Sequence, residues 1–255
     1  MATTTSEVRS SDSGKELTIL EHLQELRRRL VISAAAILIG VGASFYLTRQ
    51  YFLEWLIAPA RDRVENVNFV FTDPLGYWSA YFRIALVAGI GMAMPILVYQ
   101  LMAFVGPGLT KQERRWIFPI VIGASLAFIG GAAFAYYIEL PPALGFLLNS
   151  SAGIEPFLNV TSYVDFVTKV MLVTGLVFEL PLVIMGLAKF RVVHWRKLLS
   201  WWRQAFVIAF IVSAIVTPSI DPVTQTLVAI PIIVLYFIGI FLAWLVDSRR
   251  AKQPQ

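Results

Sequence analysis

Six apolar stretches separated by short polar segments dominate the chain. About 20 residues at 1.5 Å each cross a hydrocarbon core of about 30 Å. Stretches of that kind are predicted at 31–48, 77–104, 116–138, 163–188, 203–217 and 223–246. The pattern predicts an all-α integral membrane protein with six transmembrane helices. Residues 18–247 form its membrane domain, residues 1–17 read as a disordered Ser/Thr-rich tail, and residues 248–255 form a second tail. A cleaved leader is not expected, because the polar start is long and no small-residue cleavage site follows. The fifth stretch is confined between Arg203 and Pro218, so it covers only roughly 20 to 24 Å. Thinning of the bilayer or snorkelling of Arg203 is predicted beside it.

Lys and Arg decide the orientation, because they concentrate in cytoplasmic loops. One set of polar segments holds 16 of them, the other only Arg49, Arg61 and Arg63. Both termini are therefore predicted to be cytoplasmic. Two sizeable outer loops, 49–76 and 139–162, are rich in Pro and aromatic residues, and a third outer connection is the short turn "TPSIDPVT". An apolar share of 58% with 15% charged residues fits this assignment, and the net charge of +5 follows from topology. Nucleic acid is not expected as a partner, since the cations are scattered between apolar runs instead of gathered on one soluble face. The absence of cysteine removes disulfides, thiolate metal sites and a cysteine nucleophile.

Spans two and four share a pattern. Tyr77, Arg83, Gly89 and Pro95 have the same six-residue spacing as Tyr163, Lys169, Gly175 and Pro181. In each span the cation is expected to snorkel outward, with Asp165 at i−4 from Lys169 as an alternative partner, and the proline frees a carbonyl and permits a kink. Glu179 has no counterpart, because Ala93 occupies the equivalent place. It lies roughly 15 Å from the inner end of its span and 24 Å from the outer, and it is the only deeply placed carboxylate expected. It is either a neutral acid bonded to a neighbouring helix or to the Val177 carbonyl, or the mark of a polar patch for something that enters sideways.

From Thr18 the first segment reads as a helix, with Ile19, Leu20, Leu23, Leu26 and Leu30 on one stripe. Thr18 with Glu21, and Thr110 with Glu113, have capping-box spacing. Arg28 and Arg29 are explained as topological anchors, while Arg27 falls on the flank of the apolar stripe. Glu25 lies on the polar face near Arg28 and Arg29, where an i,i+4 pair with Arg29 contributes about 0.3 to 0.5 kcal/mol. Physical arguments alone leave Glu25 and Glu113 open between structure and function.

Five motifs in order carry a resemblance: "HLQELRRRL", "FVGPGLTKQERR", "FAYYIELPPALGFL", "FELP" and "TPSIDPVTQTLVAIP". The chain resembles the TatC family, the polytopic subunit of the twin-arginine protein translocase, from about residue 18 to 247. The resemblance implies a non-enzymatic receptor for twin-arginine signal peptides of folded precursors. It also implies assembly with TatA-type and TatB-type single-span proteins into an oligomeric complex within membrane lipid, in the cell (inner or plasma) membrane. Glu25 and Glu113 match the family's signal-binding glutamates, with Arg27 and Arg115 as neighbouring basic residues. Glu179 matches a buried glutamate near partner helices, and Asp221 and Gln225 match positions linked to function. No cofactor is implied. No nucleotide-binding loop "GxxxxGK[ST]" is present, so the membrane potential and proton gradient are the expected energy source. A small-solute transporter is the main rival, disfavoured by a parallel repeat and a single deep carboxylate.

Overall fold

The structure is a computed structural model and describes residues 19–48, 52–61, 68–105, 114–149, 157–189, 192–217 and 221–251. The expected tail 1–17, the two cap residues Thr18 and Thr110, and Glu113 lie outside the described residues. What is described is nearly all helical. Helix α1 (Ile19–Leu47) joins the polar start to the first apolar stretch in one rod of 29 residues, about 43 Å long. A short α2 (Leu53–Arg61) follows, then α3 (Gly76–Val105). The chain returns through α4 (Ile117–Phe134), a π-helical segment (Ala135–Glu139) and α5 (Leu140–Asn149), which together make one rod. Next come α6 (Val160–Val177) and α7 (Leu180–Lys189), then the short α8 (Trp195–Ser200), α9 (Trp202–Val216) and α10 (Pro222–Ala251).

Five of these rods are long and apolar enough to cross a membrane, and α9, at 15 residues, is shorter. Large apolar side chains such as Leu38, Ile39, Phe118 and Ile215 stand exposed along the rods, as contact with lipid requires. The end of the bundle where α1 starts is called the near end here, and the opposite end the far end.

The third rod departs from expectation. Its apolar stretch was expected to end at residue 138, with a Pro-rich loop beyond, but the helix continues to Asn149. Pro141 and Pro142 cannot donate to the preceding turn, and the wider π turn just before them accommodates the unpaired carbonyls without ending the rod. The two repeat prolines also behave differently. Pro95 sits inside the uninterrupted α3, whereas the chain breaks at Phe178 and Glu179, ahead of Pro181. There the Glu179 amide bonds the Leu176 carbonyl at 3.1 Å, a tighter i−3 bond, before the helix resumes.

Close helix contact is set by glycine. A Cβ on Gly40 would lie 2.4 Å from the Gly89 carbonyl oxygen, and one on Gly89 would lie 2.5 Å from the Val41 nitrogen. The α1 and α3 backbones therefore touch. On the far-end side of that crossing Ser44 donates to the Ala85 carbonyl at 2.6 Å, and Tyr81 donates to the Phe45 carbonyl.

The far end is capped by structure that the sequence showed only as loops. Strands β1 (Asn68–Val70) and β2 (Phe157–Asn159) pair in parallel. Asn159 ends β2 and caps α6, its Oδ1 accepting from the Thr161 amide at 2.8 Å and the Ser162 amide at 3.3 Å. Helix α2 is held by two tyrosines: Tyr136 donates to the Trp55 carbonyl and Tyr163 to the Leu56 carbonyl at 2.9 Å. Leu56, Ile84, Leu140, Val164 and Val216 form the principal apolar core beneath it.

The glycine crossing yields a prediction of opposite signs. Gly40→Ala places its methyl on backbone and should cost about 1–3 kcal/mol. Gly42 has open space around it, so Gly42→Ala should gain about 0.5–1 kcal/mol from helix propensity. Thermal unfolding in detergent should move the two melting temperatures in opposite directions.

Candidate functional site

At the near end the bundle opens into a hollow of about 920 Å³ between α1, α3 and the start of α4. Glu25 and Arg29 line it from α1, Tyr99 and Pro95 from α3, and Arg115 and Phe118 from the α4 side. Its floor is apolar and its rim is charged. Arg29 reaches Glu25 Oε1 through Nη2 at 2.5 Å and Nε at 3.1 Å, while its Nη1 donates to Gln100 Oε1 at 3.2 Å. Arg29 is thus more than the topological anchor expected from sequence, because it ties α1 to α3. His22 stacks on Phe104 at 4.4 Å and holds the same two helices together about two turns of α1 earlier.

The expected site residues are distributed unevenly around this hollow. Glu25 and Arg115 both line it, with the Arg115 guanidinium 6.0 Å from the Trp116 ring. Arg27 is exposed and, two residues from Glu25, points about 200° round the helix. Glu113 directly precedes the first described residue of this segment, Arg114.

A second hollow of about 480 Å³ lies farther along the groove between α3 and α4. Gly91, Met92, Phe128 and Ala132 line it, with Leu47 and Trp55 at its far end. Its lining is almost wholly apolar: the hydroxyls of Ser44 and Thr168 are bonded to the carbonyls of Ala85 and Val164. On α4, Phe118 and Val121 of the first hollow share a face with Phe128 and Ala132 of the second. The two hollows therefore follow one another along a single groove.

Glu179 sits at the break between α6 and α7, beside the Phe128 backbone, and its Oε1 is buried with no partner among the described residues. The adjacent Phe178 packs on Phe134, ring centres 5.4 Å apart, and against Gly131. Asp221 lies elsewhere, capping α10 by accepting from the Thr224 amide at 2.7 Å and from its hydroxyl. Gln225 clips α10 to α9: its Nε2 donates to the Phe210 carbonyl at 3.0 Å, and its own carbonyl accepts from Ser213. Val228, about one turn on, packs with Val177, so α10 links this far-end clip to the region of Glu179.

Two expectations change here. Arg83 and Lys169 do not act separately: each lies 2.6 Å from a different oxygen of Asp165, so one carboxylate serves both repeat cations. Glu179 is also not the only deep carboxylate. Glu139 is 4% exposed; its Oε2 accepts from Thr174 at 2.8 Å and its Oε1 is buried without a partner among the described residues. It lies in "FAYYIELPPALGFL", but a span ending at residue 138 put it at the membrane boundary, where a carboxylate is ordinary. The signal that would have found it is the apolar run continuing past the prolines.

The family model of the Sec-independent protein translocase protein (TatC) matches residues 21–231. The chain belongs to the TatC family. It is 38% identical to the TatC protein of Aquifex aeolicus over 242 residues, covering 94% of this chain and 99% of that one. It is 37% identical to the chloroplastic TATC of Arabidopsis thaliana over 233 residues, covering 91% of this chain and 67% of the longer plant protein. A crystal structure of the twin-arginine translocase receptor TatC superposes with a TM-score of 0.82 at 39% identity, covering 89% of this chain and all of that one. As a TatC-family protein the chain is a component of a Sec-independent protein translocase, and a multi-pass membrane protein.

The Glu139–Thr174 contact is open to a direct test. Thr174→Val leaves a buried carboxyl group with neither oxygen bonded and should cost about 1–3 kcal/mol. Adding Glu139→Leu should recover part of that loss, because both polar partners are then gone. Thermal unfolding of the two single variants and the double variant in detergent measures the coupling.

Proposed function

We propose that the chain is the signal-peptide receptor of a twin-arginine translocase, crossing the cell membrane six times with both termini in the cytoplasm. The short α9 serves as the fifth crossing, and the near end, where the cationic segments gather, is the cytoplasmic face. The observation that carries the proposal is the near-end hollow, whose rim holds Glu25 and whose described wall on the α4 side begins one residue after Glu113. Arginine forks bind carboxylates in bidentate geometry that lysine cannot supply. Two such contacts, at about 1.5–3 kcal/mol each, give roughly 3–6 kcal/mol, which alone corresponds to weak binding.

The remaining affinity comes from the signal's apolar segment. The groove between α3 and α4 offers it a continuous path, since Val121 and Phe128 are seven residues and about 10 Å apart. A segment whose arginines rest at Glu25 and Glu113 would run toward the apolar hollow, past the level of Phe128 and Glu179. Arg115 lines the entrance, while Arg27 lies round the helix from Glu25 and outside it. Glu179, together with the α9–α10 clip at Gln225 and Asp221, faces the single-span TatA-type and TatB-type partners within an oligomeric assembly. The proton gradient and membrane potential supply the energy for moving the folded cargo.

Two measurements test this reading. Glu25→Ala combined with Glu113→Ala should weaken binding of a twin-arginine signal peptide to the purified protein in nanodiscs by at least about 100-fold. Unchanged affinity would remove the site. Glu179→Ala should leave peptide affinity largely intact while reducing crosslinking to a single-span partner, and undiminished crosslinking would contradict the role given to it.

A further inference from the structure

We propose that Arg29 is a resident guanidinium: it occupies Glu25 while the receptor is empty, and a signal arginine docks by exchange with it. The proposal rests on the assignment of Glu25 made above and adds to it what fills that seat beforehand. Arg29 places two donors of its fork on the same oxygen, Glu25 Oε1, and its third nitrogen on Gln100 of α3. Glu25 Oε2 accepts no bond from any described residue. The seat is therefore half filled by the chemical group that the receptor is built to recognise.

Charge around the hollow makes this occupancy matter. Among the described lining residues, Arg29, Arg114 and Arg115 face a single carboxylate, Glu25. Arg114 and Arg115 are exposed and have no carboxylate partner among the described residues, so they repel a cationic guest. Arg29 does more than repel, because it holds the acceptor itself. Its pair with Glu25 joins neighbouring turns of one helix, and both side chains keep about a quarter of their surface, 22% and 24%. Pairs of this type are weak and exchangeable. A guest arginine replaces those donors with a fork of its own on Glu25, and Arg29 retains Gln100.

The exchange sets a threshold and leaves the choice between guests to Glu25. A resident competitor lowers the affinity of every guest by one common factor, so arginine and lysine signals lose equally. Their ratio continues to reflect the bidentate contact. The weaker binders fall below useful occupancy first, and stray cationic segments are turned away.

The test uses the full-length protein in nanodiscs, with one signal peptide carrying two arginines and a matched peptide carrying two lysines. Arg29→Gln should tighten binding of both by the same factor, about two- to fivefold, with the ratio between them unchanged. Arg29→Lys should give a smaller gain in the same direction, and it serves as the test if the glutamine variant fails to fold. In a Glu25→Gln background the gain should disappear, since no seat remains to contest. A gain that persists undiminished there would be long-range charge relief alone and would overturn the exchange. Weaker or unaltered binding by Arg29→Gln, with Glu25→Gln still harmful, would overturn the exchange and leave the Glu25 assignment standing. Binding unaffected by Glu25→Gln would overturn both.

Discussion

The backbones of α1 and α3 meet at Gly40 and Gly89 with no room for a side chain between them, and the arrangement of both ends follows from that contact. A membrane gives helices little hydrophobic reason to associate, so close packing and interhelical hydrogen bonds must hold them. Once the crossing is fixed, the antiparallel register brings Ser44 to Ala85 on one side and Arg29 to Gln100 on the other. The near-end hollow keeps its shape because α1 cannot slide along α3 without driving backbone into backbone. A polar site on a rigid crossing is pre-organised in a way that a site on loops is not.

Much of this was legible in the sequence, for identifiable reasons. Length and apolarity located the rods, because a bilayer leaves few alternatives to long helices. Glu25 and Glu179 were visible because carboxylates in or beside apolar runs are costly. Pro95 and Pro181, by contrast, looked equivalent and are not: one stays in a continuous helix, while the other follows a break at Phe178 and Glu179. Proline constrains one donor and one angle, and the packing around it decides whether the rod bends or stops. Asp165 was seen as a partner for Lys169 by spacing, but its second partner, Arg83, is on another helix and carries no signature in sequence distance. The far-end cap was hidden for the same reason, since β1 and β2 are about 90 residues apart and only three residues long.

Buried polar groups mark where the bundle is specified and where it is left open. Ser44, Ser213 and Tyr163 each spend their hydroxyl on a carbonyl of another helix, which locks helices in register, and Thr168 spends its own within its helix, so none has anything to offer a guest. Glu139 and Glu179 each keep one buried oxygen without a partner among the described residues. A half-satisfied carboxyl group in a membrane is retained at a cost, and both lie along the seam between α4 and α6. That seam thus holds two of the four buried side-chain oxygens that have no hydrogen-bond partner among the described residues.

The π segment at Ala135–Glu139 has a further effect on the rod that contains it. Val121, Phe128 and Ala135 are buried at intervals of seven, yet the next position in that series, Pro142, is exposed, and Ala143 is buried in its place. One extra residue has been taken up, which advances the helix by about 100°. The segment acts as a phase adaptor. Below it the rod presents the face that lines the groove with α3, and beyond it the same rod turns Leu140, Ala143, Leu144 and Leu148 into the far-end core. Removing a single residue there would leave both halves helical and both still apolar, but the core and the groove could no longer be faced by the same rod.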